Sequence, residues 1–255
     1  MKVATWNVNS VKARKDRLLA FLQREAPDLL CLQELKVQDP AFPRDEIEAA
    51  GYHAAVHGQR TYNGVAILAR QPLEDIVIGL GDDVDDPQAR FIAARGCGVR
   101  IVSVYVPNGG GGDDRLAYKL AWFERLHRWL KRHCDPSEPL LIGGDYNVAP
   151  DERDVARPDE WNDTVLCAPE VRAALQRVVD WGLVDCLRAK HPEGGVYSWW
   201  DYRMLGFPKN NGLRIDHILA TRTLADRCEA ARVDRDERKG KLPSDHAPVI
   251  CEFAD

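Results

Sequence analysis

A carboxylate and an amide stand two residues apart in Gly144-Asp145-Tyr146-Asn147, directly after an apolar stretch. In an extended segment, side chains two residues apart lie on the same side, so Asp145 and Asn147 are expected to face one site. The preceding glycines have no Cβ and allow another backbone or a ligand to approach closely. The same residues are also typical of a simple turn, which is the more frequent outcome for such a segment taken alone.

Ionisable side chains also stand beside three other apolar stretches. Glu34 follows the apolar residues 29–33, and Asp245 with His246 precedes a proline and the apolar residues 249–253. Each of these, taken alone, is equally consistent with a solvated strand end or a turn. Asp216 lies inside an apolar segment, and because aspartate is rarely buried unpaired, it is expected to have a partner.

Taken together, these residue types suit the hydrolysis of a phosphate ester. Oxygen ligands without cysteine favour Mg²⁺, with Mn²⁺ as the alternative. An Asp–His pair holds an imidazole in one tautomer and stabilises its protonated form. Cleavage of a phosphodiester needs a metal to offset the phosphate charge, a base for the attacking water and help for the leaving oxygen.

The strands and helices that must position these residues are predicted from apolar runs and β-branched residues. The pattern predicts strands over residues 3–8, 29–33, 65–69, 99–106, 140–142, 215–220 and 249–253. It predicts helices over residues 10–25, with Ser10 as N-cap, and over residues 113–133 and 170–181. Strands and helices are mixed throughout, so residues 1–255 are expected to form one α/β or α+β domain. The candidate residues fall at strand ends, where sites are commonly built.

Composition narrows the classes of function. The formal net charge is −5, which argues against a protein that coats nucleic acid by bulk charge but not against a nuclease with a local basic rim. The seven cysteines are scattered without a Cys-x-x-Cys pair, so neither a disulfide framework nor a zinc site is expected. No apolar run is long enough to span a bilayer, and the N-terminal residues lack the layout of a signal peptide. An intracellular, cytoplasmic protein is therefore expected.

Seven short segments occur in one order along the chain. They are residues 5–10 (TWNVNS), 32–36 (LQELK), 105–109 (YVPNG), 144–150 (GDYNVAP), 200–203 (WDYR), 212–216 (GLRID) and 244–248 (SDHAP). With these segments the chain resembles the exonuclease III branch of the endonuclease/exonuclease/phosphatase family. The resemblance implies a four-layer α/β sandwich, in which helices flank two packed mixed β-sheets and the site lies at one end between the sheets.

The resemblance also implies roles for the candidate residues. Glu34 looks like the main Mg²⁺ ligand, with Asn7 and Asp245 nearby. Asp145 looks like the residue that activates the attacking water or, alternatively, protonates the leaving oxygen. Asn147 would orient the water or the phosphate.

Four more residues gain roles in the same way. Asp216 and His246 would form a pair, with His246 contacting a phosphate oxygen. Tyr105 would hydrogen-bond the phosphate or support the leaving group, and Asn108 would contact the phosphate.

By the same resemblance, the aromatic and basic segment at residues 197–203 (YSWWDYR) implies that the substrate is DNA that carries an abasic site. By the resemblance, Trp199, Leu213 and Ile215 would form a small apolar pocket for a flipped-out sugar without a base. Arg203 lies where such enzymes insert a side chain into the duplex. For Trp199 and for Trp200, packing in the core is the alternative. Candidate phosphate contacts are Lys36, Arg60, Arg90, Lys209 and Arg214.

The resemblance therefore predicts a monomeric, Mg²⁺-dependent repair phosphodiesterase without a membrane partner. It would act on double-stranded DNA with abasic sites or with blocked or recessed 3′ ends. Three departures from the family pattern bear on this reading. They are Asn9, where some relatives carry a second aspartate near the metal, the four glycines at residues 109–112, and the variable pair Met204-Leu205 in the Arg203 loop. The alternatives are a phosphodiesterase or phosphatase for small molecules or lipids, and a DNA-binding relative that has lost catalysis.

Overall fold

Over residues 1–254, the part of the chain that the computed structural model describes, the backbone forms two mixed β-sheets of six strands each. The strands are β1 (Lys2–Asn7), β2 (Leu29–Gln33), β3 (His53–His57), β4 (Val65–Ala69), β5 (Glu74–Ile78), β6 (Phe91–Gly96), β7 (Val99–Tyr105), β8 (Leu140–Asp145), β9 (Leu183–Asp185), β10 (Asp216–Thr221), β11 (Cys228–Val233) and β12 (Val249–Phe253). The first sheet has the order β11-β12-β1-β2-β4-β3, and the second has the order β5-β6-β7-β8-β10-β9.

Helices flank both sheets, and the longer ones cover the outer faces. They are α1 (Lys15–Glu25), α2 (Arg44–Ala49), α3 (Asp113–His133), α4 (Pro158–Trp161), α5 (Pro169–Val179), α6 (Cys186–Lys190) and α7 (Arg222–Ala225). Phe21 of α1 and Ile47 of α2 pack on the first sheet, and Trp122 of α3 and Val171 of α5 pack on the second. The predicted four-layer sandwich is therefore confirmed. None of the helices within residues 1–254 is both long and apolar enough to cross a membrane.

The inner strands, such as β1 and β7, are buried on both faces, and alternate residues face different cores. In β1, Val3 faces the core between the sheets, whereas Ala4 faces the outer core beneath α1. In β7, Ile101 faces the core between the sheets and Val102 faces the outer core beneath α3. Burial on both faces explains why these strands read as continuous apolar runs in the sequence.

The strand ends that carry the candidate residues meet at one end of the sandwich. In the second sheet, β7 is parallel and β10 antiparallel to β8, and their register aligns Tyr105 with Asp145 and Asp145 with Asp216. In the first sheet, the parallel pair β1 and β2 places Asn7 beside the end of β2, one residue before Glu34. A row of polar side chains from each sheet therefore faces the other row across the gap.

Two glycines permit this close approach. A Cβ on Gly144 would lie 2.2 Å from the carbonyl oxygen of Val104 in the neighbouring strand. A Cβ on Gly143 would lie 3.1 Å from the sulfur of Cys31 in the opposite sheet. The close approach of another backbone, which the sequence predicted at these glycines, is confirmed.

Several predicted elements are confirmed, including the strands over residues 29–33, 65–69 and 249–253 and the helix over residues 113–133. The predicted helix start at Ser10 is wrong, because α1 begins at Lys15 and Ser10 has a φ of +85°. The Ser10 N–H donates to the carbonyl of Glu34 at 2.8 Å, so the segment after β1 pairs with the segment after β2. The pattern also missed β3, β5, β6, β9 and β11, which are short or mix small and polar residues.

Candidate active site

Asp145 lies at the centre of the polar cluster and is almost completely buried. The amide nitrogen of Asn7 donates to Asp145 Oδ2 at 2.9 Å and to Glu34 Oε1 at 2.8 Å, and it thereby links the two sheets. The Tyr105 hydroxyl donates to the same Glu34 oxygen at 2.9 Å. Neutral donors therefore hold together two carboxylates that would otherwise repel each other.

Two residues of the site have a left-handed backbone, namely Glu34 with a φ of +52° and Asn147 with a φ of +50°. This conformation costs about 1–3 kcal/mol for a residue with a side chain and is concentrated at functional sites. At Glu34 the turn ends β2, and the carboxylate points toward Asn7 and Tyr105. The local strain is thus tied to the position of a functional side chain.

The chain turns at Asn147, so the turn predicted as the more frequent outcome is correct and the extended arrangement of Asp145 and Asn147 is wrong. The Asn147 N–H donates to Asp145 Oδ1 at 2.9 Å, which makes an Asx turn. The Asn147 side chain donates to the carbonyl of Val106 at 2.9 Å and accepts from Asn108 at 3.1 Å. The turn still keeps Asn147 beside Asp145, and Asn108 lies exposed next to them.

Lys119 of α3 is a buried cation that the sequence analysis did not single out. Its Nζ donates to the carbonyl oxygens of Asn147 at 2.5 Å and Asn108 at 2.9 Å. Burial lowers the pKa of Lys119 to about 7, although attraction to Asp145 opposes this shift. A signal was present in the sequence, because Lys119 stands four residues before Phe123 on the apolar side of the helix. Lys119 fixes the two loops that present Asn108 and Asn147.

His246 and Asp216 lie together as predicted. His246 Nδ1 lies 2.8 Å from Asp216 Oδ2, and His246 Nε2 lies 3.7 Å from Asp145 Oδ2. Ser198, which the sequence analysis did not name, donates its hydroxyl to the same Asp216 oxygen at 2.7 Å. Burial alone would lower the pKa of His246, but attraction to Asp216 and Asp145 raises it to about 10. The imidazole is therefore a cation at neutral pH.

Burial raises the pKa of Asp145 to about 7. Attraction to His246 opposes this shift, whereas repulsion from Asp216 adds to it. A carboxyl group with such a pKa is partly ionised at neutral pH, so it can accept or donate a proton during catalysis.

Glu34, Asp145 and His246 offer ligand atoms that lie within 4.8 Å of one another. Because His246 is held as a cation between two carboxylates, Glu34 and Asp145 are the donors that remain for a metal ion. Their oxygen atoms suit a hard divalent cation. Lys36 Nζ already lies 2.8 Å from Glu34 Oε2, so this side of the cluster attracts positive charge.

The other two predicted metal ligands are placed differently. Asn7 turns its amide nitrogen toward the carboxylates, and its oxygen accepts from the Asn9 N–H at 3.0 Å. Asp245 lies outside the group of ligand atoms and accepts from the Asn9 side chain at 2.9 Å and from the Trp199 indole at 3.0 Å. Burial alone would raise the pKa of Asp245, but attraction to His246 and these hydrogen bonds lower it.

The predicted apolar pocket is present only in part. Leu213 and Ile215 are buried in a small apolar cluster beside the site, whereas Trp199 is half-buried and packs against that cluster. Of the three, Trp199 alone therefore presents a sizeable surface to a ligand, and the other two support it from below. Trp200 is completely buried, so the alternative of core packing is correct for this tryptophan.

Four of the predicted phosphate contacts lie where a ligand can reach them. Arg90 lies over the Tyr105 ring at 4.7 Å, and Lys36 lies half-buried beside Glu34. Arg60 and Lys209 are exposed on loops. The side chain of Arg203, the predicted duplex contact, is 85% exposed and pairs with Asp201 at 3.1 Å.

Arg214 is a correction to the predicted phosphate contacts. Its side chain is 2% exposed and donates to Asp154 at 2.6 Å and to Asp185 at 2.6 Å. The guanidinium nitrogen Nη2 has no hydrogen-bond partner but is buried, so a phosphate cannot reach it. The motif that contains Arg214 thus combines a structural residue with the candidate catalytic residue Asp216.

Comparison with known proteins agrees with this geometry. Residues 4–246 match the Endonuclease/Exonuclease/phosphatase family. The chain is 39% identical to exodeoxyribonuclease III of Haemophilus influenzae, over 99% of this chain and 100% of that protein. An AP endonuclease from Archaeoglobus fulgidus superposes with a TM-score of 0.95 at 36% identity, over 99% of each chain. The 3′ phosphatase NExo from Neisseria, solved with a product DNA hairpin, superposes with a TM-score of 0.95 at 41% identity, over 100% of this chain and 99% of that chain.

Proposed function

Because this chain belongs to the endonuclease/exonuclease/phosphatase family, we propose that it is a metal-dependent DNA-repair phosphodiesterase. It cleaves DNA on the 5′ side of abasic sites, and it removes 3′-blocking groups, 3′-phosphates and nucleotides in the 3′→5′ direction. Similarity over the full chain to an exodeoxyribonuclease, an AP endonuclease and a 3′ phosphatase supports this proposal. The observation that carries it is the His246–Asp216 pair, whose free imidazole nitrogen lies 3.7 Å from Asp145.

His246 supplies a fixed positive charge. Asp216 lies at hydrogen-bond distance from Nδ1 and stabilises the imidazolium, so that Nε2 carries the proton that faces Asp145. A charge held in this way offsets the negative charge that builds up on the phosphate oxygens in the transition state. Asn108 and Asn147, whose carbonyl oxygens accept from Lys119, lie beside Asp145 and add neutral donors.

Asp145 would transfer the catalytic proton. We propose that it takes a proton from the attacking water, because its pKa of about 7 leaves a substantial fraction ionised at neutral pH. Protonation of the leaving oxygen by Asp145 is the alternative. The two roles give opposite pH dependence, so the pH–rate profile separates them.

Glu34, with Asp145 beside it, would hold Mg²⁺, and Mn²⁺ is the alternative ion. The donor set fits, since it consists of carboxylate oxygens without a thiolate. A divalent ion bound there supplies Lewis-acid polarisation of a phosphate oxygen. Asn7 and Tyr105 keep the Glu34 carboxylate oriented through its Oε1 atom, which leaves Oε2 on the side of Lys36.

Double-stranded DNA with an abasic site fits the surface beside the cluster. The Trp199 ring, supported by Leu213 and Ile215, is a small apolar surface that suits a sugar without a base. On the adjoining loop, Arg203 and Met204 protrude, and Met204 is 83% exposed. We propose that this loop contacts the duplex beside the lesion.

The chain contains both sheets that build the site, so we propose that it acts as a monomer with one catalytic domain. Since its substrate is genomic DNA, we also propose a cytoplasmic location. Light scattering coupled to gel filtration would test the monomer, with the chain mass of 28.7 kDa as the expected value. A stable mass of twice that value would contradict it.

The proposal is tested with a labelled duplex that carries one abasic-site analogue, beside an undamaged duplex with a recessed 3′ end. Both are incubated with Mg²⁺ or with EDTA. We expect Mg²⁺-dependent cleavage 5′ to the lesion, and the ratio of the two rates gives the balance of endonuclease and exonuclease activity. Absence of metal-dependent cleavage of either duplex would overturn the proposal in favour of a small-molecule phosphodiesterase.

A matched pair of variants assigns the activity to this site. His246→Gln removes the imidazolium, whereas His53→Gln changes an exposed histidine on β3. We expect loss of cleavage in the first variant and normal cleavage in the second. Equal activity in both would show that the cleavage arises elsewhere.

A further inference from the structure

Three cysteines that are far apart in the sequence lie together in the core between the sheets. Cys186 begins α6, Cys228 begins β11, and Cys251 lies within β12. Their sulfur atoms all lie within 4.8 Å of one another. The exposed fractions of the three residues are 1%, 5% and 0%, and all three are free thiols. The absence of a Cys-x-x-Cys pair made a zinc site unexpected, but the fold brings these thiols together.

A β-bulge turns Cys228 toward this core. The antiparallel pair β11 and β12 aligns Ala231 with Cys251 and Cys228 with Phe253, and the register shifts after Cys228. In a regular strand, Cys228 and Ala231 would face opposite sides of the sheet, because they are three residues apart. The extra residue of the bulge places both on the inner side, where Cys251 also points.

We propose that Cys186, Cys228 and Cys251 bind one soft monovalent cation, Cu(I). In an equilateral triangle, the distance from each corner to the centre equals the side divided by √3. Sides of at most 4.8 Å therefore place each sulfur about 2.8 Å or less from a common centre. Metal–sulfur bonds are about 2.3 Å long, so inward shifts of about half an ångström would complete the site. Side-chain rotation at three small residues is sufficient for such shifts.

The ligand set selects the ion. Thiolates prefer soft ions such as Cu(I) over the hard cation expected in the active site. In the described residues 1–254, no histidine or carboxylate joins the three thiols, so the protein does not supply the four ligands of a structural zinc site. Three sulfur donors without a fourth suit trigonal Cu(I).

Binding would leave the active site untouched. Cys251 pairs with Val3, near the start of β1, whereas the catalytic cluster begins at Asn7, where β1 ends. Cys228, in the edge strand β11 of the first sheet, is the most exposed of the three cysteines. Copper–sulfur bonds form as S–H bonds break, the protons pass to solvent, and no electron is transferred when copper is supplied as Cu(I).

The test uses the full chain, reduced and kept without oxygen. Cu(I) is added in the presence of a chromogenic Cu(I) chelator, and the copper retained per chain is measured after gel filtration. We expect one Cu(I) per chain and, by X-ray absorption, three sulfur neighbours at about 2.3 Å. Loss of all copper to the chelator, or a shell of nitrogen and oxygen neighbours, would overturn the proposal.

Single variants locate the ion. Cys186→Ala, Cys228→Ala and Cys251→Ala should each weaken binding by more than about a hundredfold, because removing a ligand exceeds the 10–100-fold effect of removing a supporting residue. Cys31→Ala is the matched control, since Cys31 is buried in the same core outside the group. Cleavage of an abasic-site duplex by each variant shows that it is folded.

Three results would contradict the site. The first is retention of copper by Cys228→Ala, and the second is equal loss in Cys31→Ala. The third is retention of copper by Cys186→Ala or Cys251→Ala. If a variant does not fold, the count of sulfur neighbours in the wild type still decides between three ligands and fewer.

Discussion

Two buried clusters of charged side chains meet at β10 and differ in their balance of charge. The catalytic cluster gathers the carboxylates of Glu34, Asp145 and Asp216 around His246 and Lys36. There, burial raises the pKa of Asp145 to about 7.

The second cluster, which we call the Arg214 network, consists of Arg214, Arg188, Asp154 and Asp185. Arg214 donates to both aspartates, and Arg188 also pairs with Asp154. Burial alone would raise the pKa of Asp185, but attraction to Arg214 lowers it. Each carboxylate here has a guanidinium partner.

The difference shows that burial of a carboxylate does not by itself mark a site. Arg214 and Asp216 stand two residues apart in one motif, yet Arg214 completes a balanced network and Asp216 belongs to an acidic one. An excess of buried carboxylates is stable only when a cation or a proton offsets it. The acidic cluster therefore fits a metal-dependent reaction, whereas the balanced network fits a structural role.

The largest effect is expected for Asp145→Asn, which should lower the rate of abasic-site cleavage by about 10²–10⁴-fold. The amide can neither accept nor donate the catalytic proton. Single-turnover cleavage measures the rate, and fluorescence anisotropy at fixed salt should show DNA binding within a few-fold of the wild type. Turnover near the wild-type rate would refute the role of Asp145.

The stability of the same variant sharpens the comparison. The folded pKa of Asp145, about 7, lies above the ordinary value of 3.8, so ionisation in that interval opposes folding. Protonated Asp145 contributes stability to the folded state, and this contribution is lost as the pH rises through about 7. Asp145→Asn should therefore be at least as stable as the wild type at pH 7, as measured by urea unfolding.

Asp154→Asn is the converse change in the Arg214 network. It leaves the buried Arg214 without its full counter-charge and should lower the free energy of unfolding by about 3–5 kcal/mol. Cleavage per folded molecule should remain close to the wild-type rate at a temperature where the variant is folded. A stable but inactive variant would show that this network takes part in catalysis.

The pH–rate profile should follow the catalytic cluster. If Asp145 acts as the base, kcat/KM rises tenfold per pH unit below its pKa of about 7 and falls above the pKa of His246, about 10. A divalent cation beside Glu34 lowers the pKa of Asp145, so the rising limb is expected at or below pH 7. A fall in rate above pH 7 would instead assign Asp145 as the acid, and the profile of Asp154→Asn should match the wild type.

The smallest effect is expected for Arg203→Ala, because its guanidinium is exposed and pairs with the neighbouring Asp201. Affinity for abasic DNA should fall by roughly tenfold, and the slope of log affinity against log salt should decrease by about one. Anisotropy titrations at several salt concentrations measure both quantities. Unchanged affinity and slope would remove Arg203 from the DNA contacts.

Sequence patterns predicted the parts of the fold that rest on local signals. The apolar runs of β2, β4 and β12 and the apolar stripe of α3 gave correct bounds. The start of α1 was missed because Ser10 pairs with Glu34 in the tertiary structure, and no local pattern contains that contact. Edge strands such as β5 and β11 were missed because their outer residues are polar or small.

The residues of the candidate site also divide into those that the sequence predicted and those that it did not. Motif residues such as Asp145, Asp216 and His246 come together in the fold, since strand order and register bring their strand ends to one edge. The burial of Arg214 and the support given by Lys119 depend on partners distant in sequence. Such partners cannot be identified from the sequence without the three-dimensional structure.

The pairing of β1 with β12 has a consequence for synthesis of the protein. The second sheet uses the continuous stretch of chain from β5 to β10, whereas the first sheet joins strands from both ends of the chain. On the ribosome, Asn7 and Glu34 emerge early, but Asp245 and His246 emerge with the last strand. The catalytic cluster can close only after β12 has been synthesised and has left the ribosome, so a nascent chain without β12 holds no finished nuclease.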